Sequence, residues 1–334
     1  MKNKYYTFFL FLIILILIII GFIFYRINNT INKGEQNIGM IVPENIPSYH
    51  FAIIYKDMED SNWFFIKKGV ERASKDFNVA VEFNGSYTYD EQELERYMDI
   101  AIASKVDGIV TYVWNVDKTG ELINKAVEKE IPVITIGTDA EKSNRASFVG
   151  GNTYDIGAQL GELAFLSTEG KGEVVILNGN KKGSEAILQN LMILGIHDVL
   201  EQYSDININI IEYDGLSLFE IEDAITSLLD QDLKISTIIC TSTKDTVILA
   251  ERLIDLNKVD YNIIGYGISA DLLGYIERGV VFGTVTPDLE QMGYDTIKAL
   301  VDLKEKGRTS AYFNVDTFVI TQENISKYLN IGEE

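Results

Sequence analysis

The stretch HFAIIYKDMEDSNWFFIKKGVERA, residues 50–73, decides the fold class. Its apolar run at 51–55 predicts a buried strand, and the polar residues 56–61 predict a loop. From about Asn62 onward, apolar residues recur at the spacing of one face of a helix. A strand, a loop and a helix in this order form the first unit of an open α/β sheet.

The alternation of strand and helix patterns continues along the chain. After a break at Gly170-Lys171-Gly172 it starts a second time and runs to about residue 320. Strands separated by helices of roughly 10–15 residues predict parallel sheets. The two runs therefore predict an α/β fold of two doubly wound parallel-sheet lobes with a cleft between them, which suits a chain of 334 residues.

The charge balance excludes one class of partner. The chain has 29 basic and 50 acidic residues, a net charge of −21 and a pI near 4.5. Binding to nucleic acid needs a basic face for the phosphates. We therefore expect no nucleic-acid partner.

The sequence offers no signal for a metal, a cofactor or a catalytic centre. Two histidines stand apart, and the one cysteine, Cys240, lies in an apolar run that predicts a small buried hydrophobe. The carboxylates of Asp57, Glu59 and Asp60 have no nucleophile or histidine near them in sequence. We therefore expect no cofactor and no enzymatic activity.

Residues 5–25, YYTFFLFLIILILIIIGFIFY, form an uncharged apolar run. As a helix this run would span about 31 Å, close to the thickness of a bilayer core. The apolar core of a secretory signal is usually shorter, roughly 7–15 residues, and ends at a small-residue cleavage site, unlike the residues that follow here. We therefore expect an uncleaved single-pass anchor in the cell membrane, a cytoplasmic tail at 1–4, a tether at 26–47 and an extracytoplasmic body.

The opening stretch and five later blocks together resemble the type I periplasmic binding proteins of the ribose- and galactose-binding kind, which share their body with the ligand domain of LacI-type regulators. The later blocks are VDGIVTYVWN (106–115), IPVITIGTDA (131–140), SFVGGNTYDIGAQLGELA (147–164), IIGYGISADLLGYIERGVVFGTV (263–285) and QMGYDTIKAL (291–300). The resemblance implies a two-lobed clamp that closes on a small ligand, usually a sugar.

The resemblance also implies that the chain crosses between the lobes three times, near Thr153, Asp288 and Asn314. These crossings would divide the body into an N-terminal lobe, residues 48–153 and 288–313, and a C-terminal lobe, residues 154–287 and 314–334.

The charged residues that hold sugars in this family are mostly replaced here. The places of an acid–arginine pair after the fourth strand fall on Gly137 and Thr138, with Asp139 one step on. The place of a second arginine falls near Met192, and that of an aspartate after the strand at 263–266 falls on Gly267. The polar contacts of the ligand are therefore expected to differ from those of the sugar binders.

An aromatic signal remains. The two tryptophans, Trp63 and Trp114, both follow first-lobe strands, and ligands of open α/β sheets bind beyond the carboxyl ends of the strands. Each ring could offer a stacking face to a sugar, in which case Trp63→Ala would weaken binding and leave the fold intact; core packing beside an ordinary loop is the alternative. The full set of candidate ligand-binding residues is Asp60, Asn62, Trp63, Trp114, Asn115, Thr138, Asp139, Asn180, Ser242 and Tyr266.

Three functions fit these observations. The first is a membrane-tethered receptor that closes on a carbohydrate and partners a sensor histidine kinase. The second is the solute-binding subunit of a sugar ABC importer, with a permease as partner. The third is an interaction module whose cleft binds no ligand. Transport subunits of the family are more often free or lipid-attached, so an uncleaved anchor favours the first.

Overall fold

The computed structural model describes residues 40–41, 46–86, 89–179, 183–213, 218–230, 234–258 and 261–329. The predicted anchor at 5–25, and most of the predicted tether, lie outside these residues. Across the described ranges, none of the helices has the length and apolar character needed to cross a bilayer.

The elements alternate between strands and helices for most of the chain. In chain order they are β1 (Met40–Ile41), β2 (His50–Tyr55), α1 (Ser61–Phe77), β3 (Ala80–Gly85), α2 (Glu91–Ser104), β4 (Gly108–Thr111), α3 (Val116–Val127), β5 (Val133–Ile136), β6 (Ser147–Gly150), α4 (Thr153–Thr168), β7 (Gly172–Gly179), α5 (Ser184–Leu200), β8 (Ile206–Tyr213), α6 (Leu218–Leu229), β9 (Ile235–Cys240), α7 (Thr243–Asp255), β10 (Asn262–Tyr266), α8 (Ala270–Glu277), β11 (Gly283–Pro287), α9 (Leu289–Lys306), β12 (Tyr312–Asn314) and β13 (Thr317–Thr321).

The strands form two sheets, one for each lobe. The first sheet has the order β1-β3-β2-β4-β5-β6-β12, and the second has the order β13-β11-β10-β9-β7-β8. All pairings described are parallel except β1 with β3 and β13 with β11, both at a sheet edge. The predicted α/β fold of two parallel-sheet lobes is confirmed.

The interior strands are buried on both faces, as helices on each side of a parallel sheet require. In β2 the residues Phe51, Ala52, Ile53 and Ile54 are fully buried. This explains why the strand appears in the sequence as a continuous apolar run instead of an alternating one.

The chain passes between the two sheets at three places that lie side by side. It leaves the first sheet between β6 and α4, returns between β11 and α9, and leaves again between β12 and β13. The amide of Val315 donates to the carbonyl of Gly150 at 3.2 Å, and that of Asp288 donates to Asp316 at 2.8 Å. The extended residues at 312–320 therefore belong to two strands of different sheets, because the chain changes lobe at 315–316.

Polar side chains at the ends of strands start several helices. Asp60, Asn115 and Asn152 accept hydrogen bonds from backbone amides in the first turns of α1, α3 and α4, and Ser242 does the same for α7. These amides have no partner within the helix, so an N-cap side chain stabilises its start. A polar residue at a strand end in this fold is therefore often a helix cap.

Helix α9 returns to the first lobe and packs closely against α1. A Cβ on Gly69 of α1 would overlap the backbone carbonyl of Glu290, and one on Gly293 of α9 would overlap that of Ile66. Two glycines facing each other's helix therefore let the two backbones approach within van der Waals contact.

Gly69→Ala is expected to lower the free energy of unfolding by about 1–3 kcal/mol, because the added methyl group forces the two helices apart. The measurement is chemical denaturation of the full chain in detergent, followed by circular dichroism. The matched control is Gly120→Ala in α3, where the nearest atom to the added methyl is 3.8 Å away. Alanine is the better helix former, so this variant should be as stable as the parent or more stable. Equal losses in both variants would contradict the close packing.

Candidate ligand-binding cleft

The two lobes meet at the carboxyl ends of their strands. A Cβ on Gly183, before α5, would lie 2.6 Å from the backbone oxygen of Trp114, which follows β4. A Cβ on Gly267, after β10, would lie 3.3 Å from Asn62 Oδ1 in α1. Both glycines have positive φ, 63° and 91°, which other residues rarely adopt. The cleft therefore lies between the loops after β2 and β4 and the loops after β7 and β10.

An ion pair crosses this cleft. Lys56 Nζ, in the loop after β2, donates to Glu185 Oε1, in the first turn of α5. The hydroxyl of Tyr112, after β4, donates to the same oxygen at 2.8 Å, and the Lys56 ammonium lies 5.0 Å from the centre of the Tyr112 ring. The Lys56 and Glu185 side chains are only 22% and 26% exposed. One carboxylate of the second lobe thus receives two hydrogen bonds from the first.

Burial and the neighbouring charges shift the pKa values of Lys56 and Tyr112. Burial by itself would lower the pKa of Lys56, but the nearby Glu185 carboxylate, followed by Asp60, raises it above its ordinary value. Burial and then the Glu185 charge raise the pKa of Tyr112 well above the usual range. Lys56 is therefore charged and Tyr112 neutral at neutral pH, and both can donate hydrogen bonds.

The predicted residue Tyr266, at the end of β10, lies in the same electrostatic environment. Burial raises the pKa of Tyr266 to about 12; Lys56 opposes this shift, and Asp60 and Glu185 add to it. Tyr266, a residue of the second lobe, is thus influenced by charges of the first lobe as well as by Glu185.

Three buried polar atoms at this junction have no hydrogen-bond partner among the described residues: Asn62 Oδ1, Trp114 Nε1 and Ser184 Oγ. Asn62 and Trp114 were among the predicted residues, whereas Ser184 was not. Buried polar atoms are nearly always paired in folded proteins, so unpaired ones need an explanation. A hydroxyl group of a ligand is a chemically suitable partner for each of these atoms.

The tryptophans are more deeply buried than stacking platforms would be. Trp63 is 4% exposed and Trp114 is 2% exposed. The ring of Trp63 stacks on Tyr55 with centroids 4.8 Å apart and meets Phe83 edge-on at 5.3 Å. Protein aromatic groups therefore cover Trp63, and it belongs to the core of the first lobe. The expectation that Trp63→Ala leaves the fold intact is corrected on this ground.

Three predicted residues serve as helix caps: Asp60, which begins α1 as described above, Asn115 and Ser242. The Asn115 side-chain oxygen accepts from the amides of Asp117 and Lys118, both at 3.1 Å. The Ser242 hydroxyl accepts from the amide of Asp245 at 3.1 Å. Asn115 and Ser242 follow strands directly, as expected, and each of the three residues has a side-chain oxygen already engaged by the backbone.

Two further predicted residues bond within the first lobe, and a third cannot be placed. The Thr138 hydroxyl donates to the carbonyl of Val113 and accepts from its amide, both at 2.9 Å. The Asp139 carboxylate forms a bidentate ion pair with Arg145. These contacts tie neighbouring first-lobe loops together instead of facing the second lobe. Asn180 lies outside the described residues.

The second lobe contributes polar residues that the sequence did not single out. Asn178, Gln189 and Thr241 are buried at the carboxyl end of its sheet, and Gln189 Nε2 donates to Thr241 Oγ1 at 3.4 Å. Nearby, burial and then the charge of Asp245 raise the pKa of Tyr213. A polar residue inside the apolar run VVILNG, Asn178, was the one signal of this cluster in the sequence.

A possible metal-ligand group lies elsewhere. His197, Asp198 and Glu201 come together at the far end of α5, about 18 Å along the helix from Glu185. His197 Nδ1 lies 3.1 Å from Glu201, and Tyr154 donates to Asp198 at 2.7 Å. His197 pairs with Glu201 and Asp198 bonds to Tyr154, so these side chains are engaged with other residues away from the cleft.

Trp63→Ala is expected to lower the free energy of unfolding by about 3–5 kcal/mol, because it leaves a cavity among Tyr55 and Phe83. Chemical denaturation of the full chain measures the loss. The control is Phe64→Ala, whose side chain is 42% exposed and should cost much less. A Trp63→Ala protein as stable as the Phe64→Ala protein would show that the indole does not pack in the core.

The raised pKa of Tyr266 predicts a loss of stability in alkali. The unfolded phenol loses its proton near pH 10 and the folded one near pH 12. The stabilising contribution of Tyr266 to the free energy of unfolding is therefore complete below pH 10 and is lost as the pH rises from 10 to about 12. Tyr266→Phe should reduce the fall of unfolding free energy over this interval. Identical curves for variant and parent would contradict the shift.

The chain is similar to known solute-binding proteins. A model of the periplasmic binding protein domain matches residues 51–308. The glucose-galactose binding protein GanP from Geobacillus stearothermophilus is 27% identical, with a TM-score of 0.75 over 83% of this chain and 98% of GanP. A chain of the XylFII–LytSN complex is 30% identical, with a TM-score of 0.73 over 84% of this chain and 100% of that chain.

A third relative matches only in part. A xylitol-binding protein of Mycolicibacterium smegmatis is 29% identical over 142 residues, which are 42% of this chain and 40% of that protein. The match to the domain model, in contrast, begins in β2, takes in the cleft and ends just after α9. The chain therefore belongs to the periplasmic binding protein domain family.

Proposed function

We propose that this protein binds an uncharged polyhydroxylated solute, a sugar or a sugar alcohol, between its two lobes. The observation that carries the proposal is the group of unpaired buried atoms at the junction, Asn62 Oδ1, Trp114 Nε1 and Ser184 Oγ. One of these atoms accepts, one donates and one can do either, which matches the mixed hydrogen bonding of ligand hydroxyls. The names of GanP and of the xylitol-binding protein agree with this ligand class.

The charges in the cleft favour a neutral ligand. Glu185 already matches the charge of Lys56, and Asp60 adds a negative charge close to both Lys56 and Tyr266. A carboxylate or phosphate on the ligand would meet this negative charge in a partly buried site, where like charges repel strongly. Sugar acids and sugar phosphates should therefore bind poorly.

The deep burial of the tryptophans changes their proposed role. Trp114 would contribute its indole N–H to a hydroxyl group, and Trp63 would fix the start of α1, where Asn62 lies. Asn62, Ser184 and Trp114 are thus the proposed hydrogen-bonding residues. Tyr112, Lys56 and Glu185 border them.

We further propose that the body is held at the outer face of the cell membrane by residues 5–25 and acts on a sensor histidine kinase. The uncharged run at 5–25 supports the anchor. XylFII, a similar protein at 30% identity, is found in a complex with LytSN, which supports a protein partner. The alternative, a binding subunit of a sugar ABC importer, is favoured by the likeness to GanP, a sugar-binding protein.

The ligand class is tested by titrating the full chain in detergent with neutral monosaccharides, alditols, sugar acids and sugar phosphates. Thermal shift and isothermal calorimetry are the measurements. At least one neutral compound should bind, and its acidic counterpart should not. If no neutral compound binds or shifts the melting temperature, the cleft has no such ligand, and the function as an interaction module is favoured.

Asn62→Ala and Ser184→Ala should each weaken binding of that neutral compound by about 5- to 150-fold, since a lost hydrogen bond to a buried hydroxyl costs about 1–3 kcal/mol. Both variants should remain as stable as the parent, because Asn62 Oδ1 and Ser184 Oγ bond to none of the described residues. Asn207→Ala, exposed near the other end of the second sheet, is the control. Unchanged affinity in both cleft variants would rule out this hydrogen-bonding site.

The partner is tested by affinity purification of the intact protein from membranes of the cells that produce it. Recovery of a histidine kinase, and not of an ATP-hydrolysing transport complex, is expected. Recovery of the transport complex alone would favour the importer function.

A further inference from the structure

The bridge across the cleft consists wholly of the protein's own side chains. Lys56 and Tyr112 come from the loops after β2 and β4 of the first lobe, and Glu185 comes from the second lobe. Lys56 and Glu185 are 129 residues apart in sequence, so their contact exists only when the lobes are together. Any motion that separates the lobes must break both hydrogen bonds.

The geometry makes this bridge stronger than an ordinary surface ion pair. Surface pairs contribute little because water competes for both ions. Here both side chains are about three-quarters buried, and a second donor, the Tyr112 hydroxyl, bonds to the same carboxylate at 2.8 Å. Hydrogen bonds to an ionised group are about twice as strong as neutral ones.

The backbones on either side of the bridge are shaped to permit this contact. Gly183 lies two residues before Glu185 and passes close to the backbone oxygen of Trp114, two residues after Tyr112. A side chain at position 183 would hold the lobes apart and keep Glu185 from reaching Lys56. Gly183 therefore allows the lobes to approach, and the ion pair of Lys56 and Glu185 stabilises that approach.

We infer that Lys56, Tyr112 and Glu185 form a clasp that closes the two lobes without help from a ligand. Closure in this protein is then partly set by its own sequence, and a solute shifts an equilibrium in which the closed state is already populated. A solute can change the equilibrium only through its different affinity for the two states. The clasp therefore determines the fraction of closed molecules in the absence of solute, and binding of a solute changes that fraction.

The inference is tested by measuring the distance between the lobes in the full chain in detergent, extensively dialysed and with no solute added. Spin labels are placed at Asp117→Cys in the first lobe and Glu222→Cys in the second, both exposed positions. The native Cys240 is fully buried and should not be labelled. Pulsed dipolar spectroscopy then gives the proportions of short and long distances.

Glu185→Gln removes the negative charge and Lys56→Met removes the donor, so each should raise the ratio of open to closed molecules by about tenfold or more, since the charge-assisted hydrogen bond between the two residues is lost. Tyr112→Phe, which removes only the hydroxyl, should have a smaller effect in the same direction. The double charge reversal Lys56→Glu with Glu185→Lys should restore much of the closed population. This restoration also separates the clasp from simple misfolding of a single variant.

The control is an ion pair inside one lobe. Lys125 and Asp99, 2.7 Å apart and both exposed, join α3 to α2 in the first lobe. Lys125→Met should leave the distance distribution unchanged. A Glu185→Gln protein with the parent's distribution, or a double reversal no more closed than the single variants, would overturn the inference. Because no solute is added, the result is independent of the ligand panel, and either proposal can fail while the other stands.

Discussion

The hydrogen bonds between the three crossing segments fix how the two lobes can move. Gly150, Val315, Asp288 and Asp316 link these segments through their backbones, so the lobes are joined along one narrow strip. Because the strands in the interior of both sheets are parallel, their carboxyl ends all face the same cleft. Motion about the strip therefore changes the spacing of every loop that bears a candidate ligand contact.

Burial of polar groups in such a cleft is costly unless each is paired. The protein meets this requirement in two ways. Charged groups pair across the cleft, as Lys56 does with Glu185, and the phenols of Tyr112 and Tyr266 stay neutral because burial raises their pKa values. The atoms left unpaired, such as Asn62 Oδ1, are neutral ones, whose desolvation costs far less than that of an ion.

The local structure could be predicted from the sequence because periodicity and capping are local. The strand predicted at 51–55 is β2, His50–Tyr55, and the helix predicted from about Asn62 is α1, Ser61–Phe77. The split of 312–320 between two sheets could not be predicted, because both halves are extended and the division depends on tertiary pairing. Polar residues at strand ends were predicted as ligand contacts, but Asn115 and Ser242 cap helices there. Both roles favour a short polar side chain at the same place.

The ion pair of Lys56 and Glu185 could not be predicted from the sequence for a related reason. Lys56 stands in the stretch that decides the fold, yet nothing local associates it with Glu185, which looks like an ordinary acidic residue in a helix's first turn. Both tryptophans follow first-lobe strands, as predicted, but the burial of Trp63 depends on contacts with Tyr55 and Phe83 from two neighbouring strands. Helices and strands could be predicted because they depend on neighbouring residues. Contacts between residues far apart in sequence could not.

The return of α9 and β12 to the first lobe has a consequence for biosynthesis. The first lobe lacks the helix that packs on α1, and its last strand, until residues 289–314 have left the ribosome. The second lobe, in contrast, is complete except for β13 once residue 287 has been made. The part of the body that is translated first is therefore finished late, and its exposed apolar surface must be protected from aggregation while the rest of the chain is made.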